Sequence, residues 1–306
     1  MNKFKRIKLS AFVILLFAVV TSLCAQDTLP AKVRNKRLIY IGTGTGLAYT
    51  GGMIAANYAW YADYPRSPFH LFNDNNEWMQ MDKVGHTLSS YYITHYSTRI
   101  LRWAGLNNKK AVLWGSATSV LFMTSIEVFD GLSAEWGFST GDIVANLSGT
   151  AIAATQELLW KEQRINLKFS YHSSGLAQYR PNLLGKTWKE QWLKDYNGQT
   201  YWVSASPSAF YNRDTKWPKW LCLSLGYGAN GMIGARTNPS SVNGQPTPYF
   251  DRYRQYYLSL DVNLAAIKTR YKGINTVLRV LNTLKLPLPA LEYNRIDQFK
   301  FHWLHF

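Results

Sequence analysis

The sequence predicts a mainly α chain with a smaller α+β part: an up-down, membrane-type four-helix bundle, then a C-terminal region with several β-strands and one or two helices. Three observations predict it. Residues 38–60, 79–106, 111–129 and 142–160 are long apolar or amphipathic stretches with short connections, which make antiparallel neighbours. Acidic, His and Asn side chains recur at the ends of those stretches. From about Asn166 the long runs stop, and short aromatic runs bounded by Gly, Pro, Asn and Ser begin.

Residues 1–25 read as a secretory signal peptide. Lys3, Lys5, Arg6 and Lys8 form a basic start, and Ala11 to Val20 an apolar run too short to span a bilayer comfortably. Cleavage after Ala25 is expected; the alternatives are lipidation of Cys24, against which bulky Leu23 counts, and an uncleaved anchor. Loss of those four cations and no anion takes the net charge from +16 to +12. A basic envelope protein meets anionic lipid head groups more often than nucleic acid, and no nucleic-acid motif accompanies the charge. Aromatic residues at 15%, against 17% charged, also suit membrane association. Without Cys24, Cys222 has no disulfide partner and no Cys-based metal site; within Leu221-Cys222-Leu223 it reads as a core residue.

The bundle is expected over residues 32–165. Its first helix carries Gly42, Gly44, Gly46, Gly51 and Gly52, read as close helix packing. The Gly-Thr-Gly run lacks the Lys-Ser/Thr end of a phosphate loop. Up-down topology gathers Lys32, Arg34, Lys36, Arg37, Arg99, Arg102, Lys109, Lys110, Lys161 and Arg164 at one end. Asp82, His86, Asp130, Glu135 and Asp142 gather at the other. In the tail, 166–306, Trp188 to Lys194 has the aromatic-basic spacing of an interfacial helix, and Asn197-Gly198 marks a turn. Strands are expected at Thr200 to Val203, Trp220 to Tyr227, Tyr253 to Leu264 and Phe299 to Phe306, and a helix at Ile274 to Lys285. That is too few strands for a transmembrane barrel, although terminal Phe306 favours the outer membrane.

Helical spacing puts Asp82 with His86, Glu127 with Asp130, and Asp142 with Asn146 on common faces, and the antiparallel arrangement brings the pairs to one layer. His86, Glu127, Asp130 and Asp142 are the candidates for a divalent metal site or for acid-base catalysis. The alternative is a hydrogen-bonded lock on helix register, in which Asp82 and Ser139 cap helix starts and Lys83 neutralises a carboxylate. Gly131 reads as a helix-ending glycine, and His95 as an ordinary interfacial histidine. His70, His172, His302 and His305 sit in no motif, and no Gly-x-Ser-x-Gly elbow marks an α/β hydrolase.

The order Asp82-Lys83-x-x-His86, Glu127-x-x-Asp130, Ser139-x-x-Asp142-x-x-x-Asn146-x-x-Gly149 resembles the YfiM-like family, envelope proteins defined by a domain of unknown function, over roughly residues 79–150. It is distantly similar to the VanZ-like family, which has a four-helix membrane domain. Arg180 to Gly185, Asp195 to Trp202 and Pro287 to Glu292 look like the extended version found in Bacteroidetes. The resemblance implies envelope biology without a settled reaction. The chain departs from the VanZ-like pattern at Asp130, where that family has Gln, and lacks the Arg before its last motif.

Three functions are compatible with these readings. One is a non-catalytic structural, lipid- or partner-binding role, with no protein partner identified. The others are a membrane enzyme acting on a lipid or polyprenyl-linked substrate through His86 and the carboxylates, and a small ion-conducting bundle. Positive charge favours the cytoplasmic side for the basic end, whereas a cleaved signal starts the first helix outside.

Overall fold

The computed structural model describes residues 29–62, 64–211 and 216–306, so the signal-peptide and Cys24 readings lie outside it. Four long helices come first: α1 (Ala31–Ala56), α2 (Met81–Ala104), α3 (Asn108–Asp130) and α4 (Thr140–Leu159). Helix α1 begins at Ala31 rather than Leu38, because the Lys and Arg residues before the apolar run are themselves good helix formers. Its end passes into a π-helical turn, Asn57–Tyr61. Gly105 ends α2 at φ 105°, a conformation open to glycine. Asn107 caps α3 through Lys110 N, and Ser139 caps α4 through Asp142 N.

Helix α2 is the centre, packed on both α3 and α4. Small residues set those distances. A Cβ on Gly149 would stand 2.0 Å from the Thr87 carbonyl oxygen, and one on Gly115 2.4 Å from Thr98 Oγ1. In α1 the glycines divide: a Cβ on Gly44, Gly46 or Gly51 meets nothing within 4 Å, so close packing does not explain these three, whereas one on Gly52 would stand 3.1 Å from the Phe122 ring of α3. Gly149→Ala is therefore expected to cost about 1–3 kcal/mol by overpacking. Gly44→Ala should be neutral or stabilising by about 0.5–1 kcal/mol, since alanine is the better helix former. Urea unfolding of the two variants checks the contrast.

The expected membrane-type four-helix bundle is not supported. Among the described residues one helix, α3, is long and apolar enough to cross a membrane by length and composition. The polar residues of the layer described below dilute α2 and α4.

After α4 come β1 (Ile165–Tyr171), the short helices α5 (Pro181–Leu184) and α6 (Trp188–Lys194), β2 (Gln199–Ala205) and β3 (Leu221–Asn230). A two-residue hairpin, β4 (Ser241–Val242) and β5 (Gln245–Pro246), precedes β6 (Tyr253–Val262). Helix α7 (Lys272–Leu281), β7 (Leu288–Asn294) and β8 (Gln298–His305) complete the chain. Strands β1-β2-β3-β6-β7-β8 form one antiparallel sheet in that order. Two of its strands, β1 and β7, were not anticipated.

The sheet curls strongly. Lys168 on β1 reaches Asp261 on β6 at 2.7 Å although two strands lie between them. His305 on β8 stacks on Tyr257 of β6, with ring centroids 4.2 Å apart, and lies 5.7 Å from the Trp202 ring on β2. The free edge of β1 receives the segment before β7: Phe169 N donates to Thr283 O, and Lys285 N donates to Phe169 O.

Polarity across this curled sheet is reversed from that of a water-soluble one. The enclosed face carries Ser204, Ser224, Ser259, Asp261, Gln255, Glu292 and Asn294, all buried. The outer face carries a cross-strand row, Val203↔Leu225↔Leu258↔Leu291↔Phe301, whose members are 39–63% exposed. A second exposed row runs Tyr256↔Tyr293↔Phe299. Cys222, on the inner face, is fully buried, in keeping with its reading as a core residue.

Candidate functional site

The polar layer forms where the first turns of α2, the last turn of α3 and the start of α4 meet. Its entry point is unusual. Trp78, Met79 and Gln80 take positive φ in succession, at 46°, 50° and 65°, a conformation that costs about 1–2 kcal/mol per non-glycine residue. The sheet holds them there: Tyr227 Oη donates to Met79 O, and Arg254 Nη2 donates to Gln80 Oε1 at 2.6 Å. The chain then enters α2, and Asp82, Lys83 and His86 face the other two helices.

Lys83 is the hub. Its Nζ lies 2.6 Å from Asp74 Oδ2, 2.8 Å from Asp142 Oδ1 and 3.3 Å from Asp82 Oδ2. Ser139 Oγ donates to Asp74 Oδ1 at 2.6 Å and accepts from Asp142 N at 3.1 Å, so one hydroxyl caps α4 and ties it to the loop before α2. His86 Nδ1 faces Asn146 Oδ1 at 3.1 Å and Glu127 Oε1 at 3.4 Å, while its Nε2 faces Asp82 Oδ1 at 3.7 Å. With the Asn146 amide oxygen as its hydrogen-bond partner, Nδ1 is the donor. Tyr196, beyond α6, donates to Asp82 Oδ1 at 2.7 Å.

Of the eight residues read from the sequence, the structure brings Asp82, Lys83, His86, Glu127, Ser139, Asp142 and Asn146 into one bonded network. Asp130 is set apart from it, accepting from Tyr61 Oη at 2.7 Å. Asp74, Tyr61 and Tyr196 were not anticipated, because no helical spacing links them to the motif.

Burial dominates the protonation of this layer. It pushes Glu127, which has no exposed surface, up to about 8, with His86 opposing and Asp142 reinforcing the shift. Burial likewise lifts Asp130 to about 7 against the Tyr61 hydrogen bond. One ammonium cannot neutralise three carboxylates. Burial also works against ionised Asp82, but His86, Lys83 and Tyr196 outweigh it and hold that carboxyl below its ordinary range. Asp142 is pushed well above its own range by burial and by the Asp82 charge, despite Lys83. The network can store protons, hold helix register, or present His86 with two carboxylates to a cation.

Other buried charges lie elsewhere. At the opposite end of the bundle Glu157, fully buried, bonds His95 Nδ1 at 3.0 Å and Arg102 Nη2 at 2.8 Å. His95 is therefore an internal network member and not an ordinary interfacial residue. Inside the sheet, Glu292 bonds His302 at 2.6 Å.

No curated protein and no solved structure matches this chain. Residues 70–157, which contain Asp74 and every polar-layer residue read from the sequence, match a family model described as a predicted periplasmic lipoprotein, DUF2279, a description that supports an envelope location.

Proposed function

We propose that the chain is a non-catalytic envelope protein that lies against lipid through the outer face of its sheet, and that the polar layer locks the helices beneath it. The observation that carries this reading is the exposed row Val203, Leu225, Leu258, Leu291 and Phe301 over a polar interior. Antiparallel sheets in water bury the apolar face and expose the polar one. Apolar-out, polar-in alternation is the pattern of a sheet solvated by hydrocarbon. Helix α7 supports the same contact: Ile274, Val277 and Leu281 share one exposed face, flanked by Lys272 and Arg279. An apolar cleft of about 300 Å³ lined by Val84, Leu88, Ile152, Val203 and Leu225 opens beside the row. The net charge, +16 for the whole sequence and +12 without Lys3, Lys5, Arg6 and Lys8, favours anionic head groups, and the YfiM-like resemblance belongs to this reading.

Flotation of the purified chain with vesicles tests it. The chain is expected to float with phosphatidylglycerol-containing vesicles, and more weakly with purely zwitterionic ones. Leu225→Glu with Leu258→Glu should weaken partitioning about tenfold or more, because each leucine loses part of the roughly 1.5–3 kcal/mol of full burial. Circular dichroism should stay unchanged, since neither side chain is packed inside. A folded double variant that floats like the parent sinks the proposal.

A further inference from the structure

We propose that Asp82, His86 and Asp142 form a binding site for a divalent transition-metal ion, a site that stands independently of the lipid-facing reading. One ligand atom from each of the three lies within 4.8 Å of the others. Two of the residues share a face of α2 and the third sits in the first turn of α4, so the backbone places all three without a mobile loop. One imidazole nitrogen with two carboxylate oxygens suits Zn²⁺ or Mn²⁺ better than the all-oxygen ions Mg²⁺ and Ca²⁺.

The surroundings of His86 point the same way. A metal-bound histidine donates its other ring N–H to a carboxylate, carbonyl or similar acceptor, which fixes its tautomer. His86 Nδ1 has Asn146 Oδ1 at 3.1 Å and Glu127 Oε1 at 3.4 Å, both on buried residues. That leaves the Nε2 lone pair on the side of Asp82 Oδ1. Of the two ligand carboxylates Lys83 engages only Asp82 Oδ2 and Asp142 Oδ1, and Tyr196 Oη, donating to Asp82 Oδ1, helps to hold the Asp82 plane. Asn146 Nδ2 is a buried donor with no partner, although its residue is 4% exposed. Three protein ligands leave coordination positions for water, and a metal-bound water in this layer supplies the acceptor that Asn146 lacks. The structure narrows the candidate set: Asp82 enters it, Glu127 stands behind His86, and Asp130 belongs to Tyr61.

The test is an electron paramagnetic resonance titration of the full chain in detergent with Mn²⁺. One Mn²⁺ per chain is expected, displaced by Zn²⁺, with a ¹⁴N coupling in the echo-modulation spectrum from the His86 imidazole. His86→Gln and Asp142→Asn should each weaken binding about tenfold or more. Should either variant fail to fold, the ¹⁴N coupling in the wild-type chain decides alone. No bound Mn²⁺, bound Mn²⁺ without ¹⁴N coupling, or wild-type affinity in a folded His86→Gln variant each overturns the proposal.

Discussion

Replacing Lys83 by methionine is expected to cost about 3–5 kcal/mol of folding stability, because it strands carboxylates that share one buried ammonium. The side chain is 14% exposed and pairs with Asp74, Asp82 and Asp142 at 2.6–3.3 Å. Asp142 is 6% exposed and cannot turn to water. Burial disfavours the Lys83 ammonium, yet the Asp82 and Asp142 charges outweigh that and keep its pKa above the usual lysine range. Methionine fills a similar volume and removes only the charge. Urea unfolding at pH 7 measures the loss. Two companion results identify the cause: the loss should shrink at pH 5 as the stranded carboxyls take up protons, and Asp82→Asn in the Lys83→Met background should recover part of it, since Asp82 is the carboxyl that Lys83 helps to hold below its ordinary range. A loss under about 1 kcal/mol at pH 7, the ordinary range for a surface ion pair, would show that water screens the layer and that Lys83 is no hub.

The reach of sequence reasoning follows the range of the physics involved. Asp82 with His86, and Asp142 with Asn146, were legible because a helix fixes the directions of residues four apart. Antiparallel neighbours then brought Glu127 to the same layer. Asp74 and Tyr196 were not legible. Asp74 arrives from a loop through Ser139, and Tyr196 from beyond α6, and neither placement follows from local periodicity. In the tail, β1 carried a plain alternation, Ile165, Leu167, Phe169, Tyr171 against Asn166, Lys168, Ser170. The run is short and follows a long helix after only a few residues, where helical periodicity masks it. Strand β7 was hidden by Pro287 and Pro289, which normally exclude a strand interior. The pairing of β7 with β8 shifts register between Leu288 and Ala290, so the proline sits at an irregularity where a missing N–H is tolerated. The reversed polarity of the sheet was beyond any periodicity argument. Alternation reveals two faces and does not say which of them meets water.

The second large effect is a fall in stability between about pH 6.5 and 8 that Glu127→Gln reduces. A carboxyl whose folded pKa lies above its unfolded value holds its proton longer in the native state. Its contribution is complete below the unfolded value of about 4.3 and is lost as pH rises toward the folded value. For Glu127, with its folded value near 8, that window spans neutrality. Buried histidines act in the opposite sense. Burial and the neighbouring His172 and His302 push His305 down to about 3, so its term gains stability as pH rises, and that gain is complete by about 6.5. Below 6.5 the two trends oppose each other; above it the carboxyls act without that opposition. Lys285, lowered by burial to about 8, restores stability only at higher pH. At about 1.4 kcal/mol per pH unit, Glu127 alone accounts for roughly 2 kcal/mol across the window. Glutamine keeps the shape and cannot ionise, so the variant should gain on the parent steadily with pH and exceed it at pH 8. Parallel pH profiles for parent and variant would mean that Glu127 is ionised throughout, balanced by His86, and that the layer is an ion-pair network rather than a proton store.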